Sequence, residues 1–333
     1  MSYDMRRNIP QVAKGNGSRM SRQRIQNTIK YIEEGLTYKF RVKRHETGGT
    51  CSARYCYSVW MRHLIHYYQI KKDIPRVVAE FGPGDTIGNG VAALLCGVEK
   101  YYALDCIQYA GMRKIEKIFD QLLKMMRERS PIPDDSEFPG LYPKLKSYSF
   151  PDYILTDEIL EECLSEERVK RIRSYLRQIR NGQKAEMIHY LVPWWKENTA
   201  LIKCDMIFSQ AVFEHIDDYA YAHQVIANIA EVGAVVSHQI DFGCHGCADQ
   251  WNGHWAYGDF TWRLVYGTRP YFINRAPLAE HINEMLRSGI EIQKCVRIRR
   301  TDGIFRRAVS RKYTKMSEKD FHTCGAYVLG IKR

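Results

Sequence analysis

An apolar run that turns at two glycines, within residues 77–90, constrains the fold of this chain more than any other feature. The run VVAEFGPGDTIGNG reaches an acid, Glu80, and then turns through Gly82 and Gly84 into a helix-forming stretch. A second apolar run, YYALD, ends at Asp105. Glycines let a backbone approach a ligand closely, and an acid after the second strand can accept hydrogen bonds from ribose hydroxyls. The pattern predicts a nucleoside site at the carboxyl ends of parallel strands.

The segment Glu80-Phe81-Gly82-Pro83-Gly84 resembles the first motif of class I S-adenosylmethionine-dependent methyltransferases, and Asp105 stands where that family has its ribose-binding acid. The resemblance covers about residues 75–333. It implies an α/β fold with a doubly wound, mostly parallel seven-stranded sheet of Rossmann-like type. It also implies S-adenosyl-L-methionine as cofactor, bound by Glu80, Gly82, Gly84 and Asp105.

A nicotinamide-binding Rossmann unit is the nearest alternative, and the glycine spacing argues against it. Its fingerprint needs a third glycine or alanine directly after the first strand, where pyrophosphate binds. Counting from Gly82, that position holds Ile87, and a second match that begins at Gly88 starts too far beyond the strand. A turn without any ligand is a third interpretation. It is the weakest, because carboxylates at successive strand ends are costly unless they are paired or hydrogen-bonded.

Apolar runs alternate with helix-forming segments along the chain, which indicates a parallel doubly wound sheet. Strands are predicted at 76–81, 100–105, 186–192, 204–209, 233–240, 290–299 and 324–332, and helices at 21–35, 52–70, 110–129 and 275–288. The last strand is expected to be antiparallel, as in the resembling family.

Two segments lie outside the predicted methyltransferase core. Residues 1–74 are interpreted as a basic N-terminal helical extension, in which 1–20 are poorly ordered and the helix at 52–70 covers the cofactor pocket as a lid. The methyltransferase domain is predicted at 75–333. It carries a helical insertion at 130–185, which opens with a loop rich in proline and glycine.

The segment CDMIFSQAVFEHIDD, at 204–218, matches the fourth-strand motif of the resembling family. There the backbone after the strand faces the methionine part of the cofactor. The resemblance therefore adds Ser209, Gln210 and Ala211 to the expected cofactor site, and His215 is expected to serve cofactor geometry. Enzymes that methylate exocyclic amines of nucleobases carry Asn- or Asp-Pro-Pro-aromatic at this point, so that chemistry is not expected.

The loop after the fifth predicted strand holds the densest cluster of polar and aromatic side chains. His238, Asp241, His245 and His254 lie at the sheet edge where α/β proteins bind ligands. A histidine that a carboxylate orients suits a general base, and we predict His245 first, then His238, then His254, with Asp241 orienting the ring. Each histidine has packing of the loop as its alternative. The stretch 205–289, especially His238-x-x-Asp241-x-x-x-His245 and Ile273-Asn274-Arg275, also resembles methyltransferases associated with bacterial polysaccharide and capsule biosynthesis.

Charge and cysteine usage bear on partners and location. The formal net charge of +12, concentrated at 6–44 and 294–315, favours anionic partners, and contact with a membrane surface is compatible with it. No apolar run reaches the roughly 18 residues of a membrane span, and no signal peptide is apparent. The ten scattered cysteines favour a reducing compartment, and we predict a cytoplasmic protein. Cys244 and Cys247 form the single C-x-x-C, and no metal ligands are assigned.

The patterns together predict an S-adenosylmethionine-dependent O-methyltransferase. Its acceptor is expected to be an anionic small molecule or glycan: a sugar, a sugar nucleotide or a growing glycan, with a phosphate group as one source of the negative charge. An RNA methyltransferase is the first alternative, suggested by the basic termini, although nucleic acid is not the expected partner because the aromatic residues cluster in one loop. A non-catalytic binding protein on the same fold is the second. The sequence predicts no oligomeric state.

Overall fold

The computed structural model describes residues 17–40, 49–196 and 199–333. Residues 1–16, most of the segment that was predicted to be poorly ordered, lie outside the described residues. The remaining residues of that segment, from Gly17, belong to a helix. Within the described part of the chain, no helix is long and apolar enough to cross a membrane.

One seven-stranded sheet forms the centre of the molecule, which confirms the predicted fold class. Its strand order is β3-β2-β1-β4-β5-β7-β6. Every pairing is parallel except those of the last strand, which is antiparallel to both of its neighbours as expected. The strands are β1 Val77–Phe81, β2 Lys100–Leu104, β3 Ile188–Leu191, β4 Cys204–Gln210, β5 Ala230–Asp241, β6 Ile290–Arg299 and β7 Thr323–Lys332.

Helices cover both faces of the sheet, and each face has its own hydrophobic core. The helices are α1 Gly17–Leu36, α2 Ala53–Lys71, α3 Gly88–Leu95, α4 Ile115–Arg127, α5 Asp157–Cys163, α6 Glu166–Arg180, α7 Tyr219–Ile229, α8 Asp259–Tyr266, α9 Leu278–Arg287 and α10 Glu318–Phe321.

Helix α2 is a core element of one face. Ser52 caps it by accepting a hydrogen bond from the Tyr55 backbone N–H, and its apolar side chains, Trp60 among them, pack in one core with α3 and α4. Arg62 is fully buried and donates to Asp135 Oδ1 at 3.1 Å. The division of the chain at residue 74, and the function of this helix as a lid, stay predictions.

The predicted helical insertion at 130–185 contains two helices, α5 and α6. Ser165 separates them, because its side chain accepts from the Arg168 backbone N–H and begins α6. Ile172 and Leu176 of α6 are buried in the same core as α4. Arg168 also donates to the carbonyl of Val98 at 2.8 Å. The insertion is therefore held against the sheet face rather than projecting from it.

Candidate functional site

A cavity of about 300 Å³ lies at the carboxyl ends of β1, β2 and β4, a size at which small-molecule pockets begin. This edge is the ligand-binding edge of open α/β sheets. The cavity is lined by Thr50, Tyr55, Phe81, Gly82, Pro83, Gly84, Asn89, Leu104, Asp105, Cys106, Ile107, Tyr109, Trp194, Gln210, Ala211, Val212, His215, Ile216, His245 and Tyr271.

The glycine turn after β1 forms one wall of the cavity with its backbone. Gly82 and Gly84 have φ angles of 65° and 76°, in the left-handed region that glycine adopts without steric cost. A Cβ on Gly82 would lie 2.5 Å from Val212 Cγ2. The turn therefore needs glycine at Gly82 both for its conformation and for its contact with the segment after β4.

Gly82→Ala is expected to lower the free energy of unfolding by about 1–3 kcal/mol, the usual cost of overpacking. Gly140→Ala is the matched control, because nothing lies within 4 Å of a Cβ at that position. Urea unfolding of both variants and the parent chain measures the difference. Equal midpoints for the two variants would show that the turn after β1 tolerates a side chain.

Asp105 follows β2 directly and lines the cavity. Its carboxylate accepts hydrogen bonds from the Cys106 backbone N–H at 2.8 Å and from the Tyr190 hydroxyl at 3.1 Å. Burial raises the pKa of this carboxyl to about 6, and those hydrogen bonds oppose the shift. Asp105 is therefore mostly ionised at neutral pH and can accept hydrogen bonds from ribose hydroxyls.

Glu80 lies behind the cavity wall rather than on it. It accepts hydrogen bonds from Asn89 Nδ2 at 2.7 Å and from the Tyr101 hydroxyl, and burial raises the pKa of its carboxyl to about 7. Asn89 does line the cavity. The structure thus gives Glu80 the geometry of a positioning residue, which holds Asn89 at the site.

Of the three residues at the end of β4 that were expected to bind the cofactor, two line the cavity and one does not. Gln210 and Ala211 line the cavity, and His63 of α2 holds Gln210 through a ring nitrogen 3.1 Å from Oε1. Ser209 is fully buried, with its hydroxyl 2.7 Å from His238 Nδ1. Ser209 therefore faces the interior of the sheet layer and not the cavity.

Two of the four predicted catalytic residues come together at the cavity. His245 lines it, and Asp241 Oδ2 lies 3.7 Å from His245 Nε2. His215 joins them, with its ring centroid 4.8 Å from that of His245. The preceding residue, Glu214, is 3% exposed. It lies in the fourth-strand motif, but it was not among the predicted site residues.

His238 and His254 do not line the cavity. Strand β5 runs through Asp241, so His238 lies inside a paired strand, opposite Ser209, and not in the following loop. Burial lowers the pKa of His238 to about 3. His254 is buried against Trp255, and burial with the nearby Arg275 charge lowers its pKa well below the ordinary value. Both imidazoles are neutral packing groups in this geometry.

A second chamber, of about 480 Å³, adjoins the first and shares Cys106, Ile107, Trp194, His215, Ile216 and Tyr271 with it. Trp195, Asp217, Asp218, Tyr221 and Pro270 complete its lining. The indole of Trp194 stacks on the Tyr221 ring at 5.7 Å between centroids. Among the described residues, no lysine or arginine lines either chamber.

The aromatic lining of both chambers was not predicted from the sequence. Trp194 follows β3, and Tyr271 lies in the segment that leads to α9, so only the folded chain brings them together. Tyr190 had a detectable signal, because it is a polar aromatic residue near the end of a predicted strand. Its hydroxyl holds Asp105 and accepts from the backbone N–H of Tyr109 at 3.1 Å.

One group of side chains in the described part of the chain has the spacing of metal ligands. Glu214, His215 and His245 each offer a ligand atom, and these atoms lie within 4.8 Å of one another. Cys244 and Cys247, which formed the C-x-x-C of the sequence, are free thiols outside this group.

No family model and no curated protein matches this sequence. Solved structures are similar to it at low identity. A methyltransferase from Mesorhizobium loti, described as S-adenosylmethionine dependent, is 12% identical over 78% of this chain and 92% of that one, with a TM-score of 0.33. A Methanosarcina mazei methyltransferase, described as SAM-dependent, is 10% identical over 80% and 96%, with a TM-score of 0.37. The N-methyltransferase NodS of Bradyrhizobium japonicum, solved with S-adenosyl-L-homocysteine, is 8% identical over 92% and 98%, with a TM-score of 0.36.

Proposed function

We propose that this chain binds S-adenosylmethionine and transfers its methyl group to a hydroxyl oxygen of a sugar-like acceptor. The observation that carries the proposal is the joint placement of Asp105 and the Gly82–Gly84 turn on one cavity. An ionised acid there suits ribose hydroxyls. The turn lacks the third glycine that a pyrophosphate needs. The cofactor's methionine part would lie along the turn and along Gln210 and Ala211.

The second chamber supports a neutral, hydroxyl-rich acceptor. Trp194, Trp195 and Tyr221 offer aromatic surface, which suits the C–H faces of a sugar ring. Asp217 and Asp218 are available as hydrogen-bond acceptors. Because no lysine or arginine lines the chamber in the described residues, a neutral sugar fits it better than the anionic acceptor that the net charge suggested.

The polar cluster at the junction of the chambers supplies the chemistry that methyl transfer to oxygen requires. The sulfonium is a good leaving group, so the protein must align the acceptor with the methyl group and help to remove the hydroxyl proton. We propose that His245, with Asp241 beside it, performs this task. The products are a methyl ether, S-adenosylhomocysteine and a proton.

A methyl-transfer assay with labelled cofactor tests the proposal. Neutral glycans, phosphorylated glycans, sugar nucleotides and RNA serve as acceptors. We expect the labelled methyl group to appear in the neutral glycans. Label in RNA alone would support the RNA methyltransferase alternative instead. Cofactor binding without transfer to any hydroxylated acceptor would support the non-catalytic binding protein. Cytoplasmic location and contact with a membrane surface stay predictions.

A further inference from the structure

Glu214 is a buried carboxylate at the site without a compensating partner among the described residues. The residue is 3% exposed, and neither carboxylate oxygen has a hydrogen-bond partner of good geometry in the described residues. A buried acid without a cationic partner is costly, and Glu214 forms no ion pair among those residues.

Two histidines, His215 and His245, lie beside this acid. His215 Nδ1 is buried without a hydrogen-bond partner. His245 has a positive φ of 48°, an uncommon conformation for a residue other than glycine that often marks functional sites. Its neighbour Asp241 can orient the ring, as carboxylates do for metal-bound histidines.

We propose that Glu214, His215 and His245 bind a divalent transition-metal cation, with open coordination positions toward the cavity. Two imidazoles and one carboxylate are the ligand set of catalytic zinc and of non-haem iron sites. The ligand atoms lie within 4.8 Å of one another, so small side-chain movements close the site. Imidazole ligands favour zinc, iron, nickel or copper over magnesium, which prefers oxygen ligands.

A cation at this site would also take part in the proposed methyl transfer. This catalytic role of the cation rests on the proposed function, whereas cation binding does not. The acceptor hydroxyl binds at an open coordination position of the cation, where the positive charge lowers the pKa of the hydroxyl group. The proton leaves to Asp241 or to water. An oxygen lone pair then forms the new bond to the methyl carbon, and the electrons of the broken carbon–sulfur bond stay on sulfur. With the cation bound, His245 holds the cation and does not itself accept the proton, and Asp241 becomes the nearest proton acceptor.

Calorimetric titration of the chelator-treated chain with Mn²⁺, Co²⁺ and Zn²⁺ tests the site without an acceptor. We expect one cation per chain. Glu214→Gln and His245→Asn should each lower the affinity for the cation by about 10-fold or more, because even residues that only hold the metal ligands contribute about 10- to 100-fold. His322→Asn is the matched control, since His322 also lies beside an acid, Glu318, at 3.6 Å but outside this group. Circular dichroism reports whether each variant folds. If Glu214→Gln does not fold, His245→Asn decides.

Equal affinities in the parent chain and the folded variants, or no binding of any of the three cations, would overturn the proposal. Methyl transfer by the chelated chain separates the two inferences. Undiminished transfer without a cation removes the catalytic half and leaves the proposed function intact. Binding of a cation at these residues, without transfer to any acceptor, leaves the metal site intact and removes the proposed function.

Discussion

Replacement of His245 by asparagine is expected to lower methyl transfer by about 100- to 10,000-fold, the range typical of groups that assist proton removal. His245 lines the cavity beside Asp241, so its loss removes either the cation ligand or the proton acceptor at the acceptor oxygen. S-adenosylhomocysteine affinity should change by only a few-fold, because the ribose and turn contacts remain. Initial rates with the acceptor found in the panel measure the effect.

His322→Asn and His238→Asn are informative companions to this variant. His322 lies outside both chambers, so its replacement should leave the rate unchanged. His238 is fully buried against Phe213, so its replacement should lower the unfolding midpoint more than the rate of the folded enzyme. A near-normal rate in His245→Asn, with a large loss of rate in His238→Asn at unchanged stability, would reverse this assignment.

Asp105→Ala is expected to weaken S-adenosylhomocysteine binding by about 10- to 150-fold, which corresponds to the 1.5–3 kcal/mol of a hydrogen bond to a charged group. The side chain lines the cavity and is held by Tyr190 and the Cys106 backbone. Asp120→Ala is the matched control, since Asp120 pairs with Arg173 outside the cavity lining. Calorimetry at neutral pH measures both variants.

The same titration at lower pH adds an independent check. Burial raises the pKa of Asp105 to about 6. Only the ionised carboxylate offers both of its oxygens as acceptors, so affinity in the parent chain should fall as the pH falls through 6 and the group is protonated. Asp105→Ala should lack this component. Equal affinity in a folded Asp105→Ala variant would mean that another residue binds the ribose.

The cofactor half of the site was predictable because its parts are local in sequence. Gly82 and Gly84 belong to one strand–turn–helix unit, and Asp105 ends the next strand, so the parallel topology alone brings them together. The same local reasoning fails at Ser209 and Glu80. Which way each side chain points depends on neighbouring elements, here His238 and Asn89.

The catalytic half was only partly predictable, because it depends on where β5 ends and on contacts between distant segments. The predicted strand 233–240 already contained His238, and the observed strand, from Ala230 to Asp241, keeps it in a paired position while His245 lies beyond the strand. Glu214 and His215 stood in a recognised motif, but their proximity to His245 requires the folded loop. Trp194 and Tyr271 reach the chambers from distant parts of the chain for the same reason.

Calorimetric titration of the parent chain with S-adenosylhomocysteine and, separately, with NAD⁺ tests the cofactor assignment most directly. We expect one S-adenosylhomocysteine per chain, with an affinity that depends on Asp105, and no measurable heat from NAD⁺. Binding of NAD⁺ with no response to S-adenosylhomocysteine would contradict the proposed methyltransferase function.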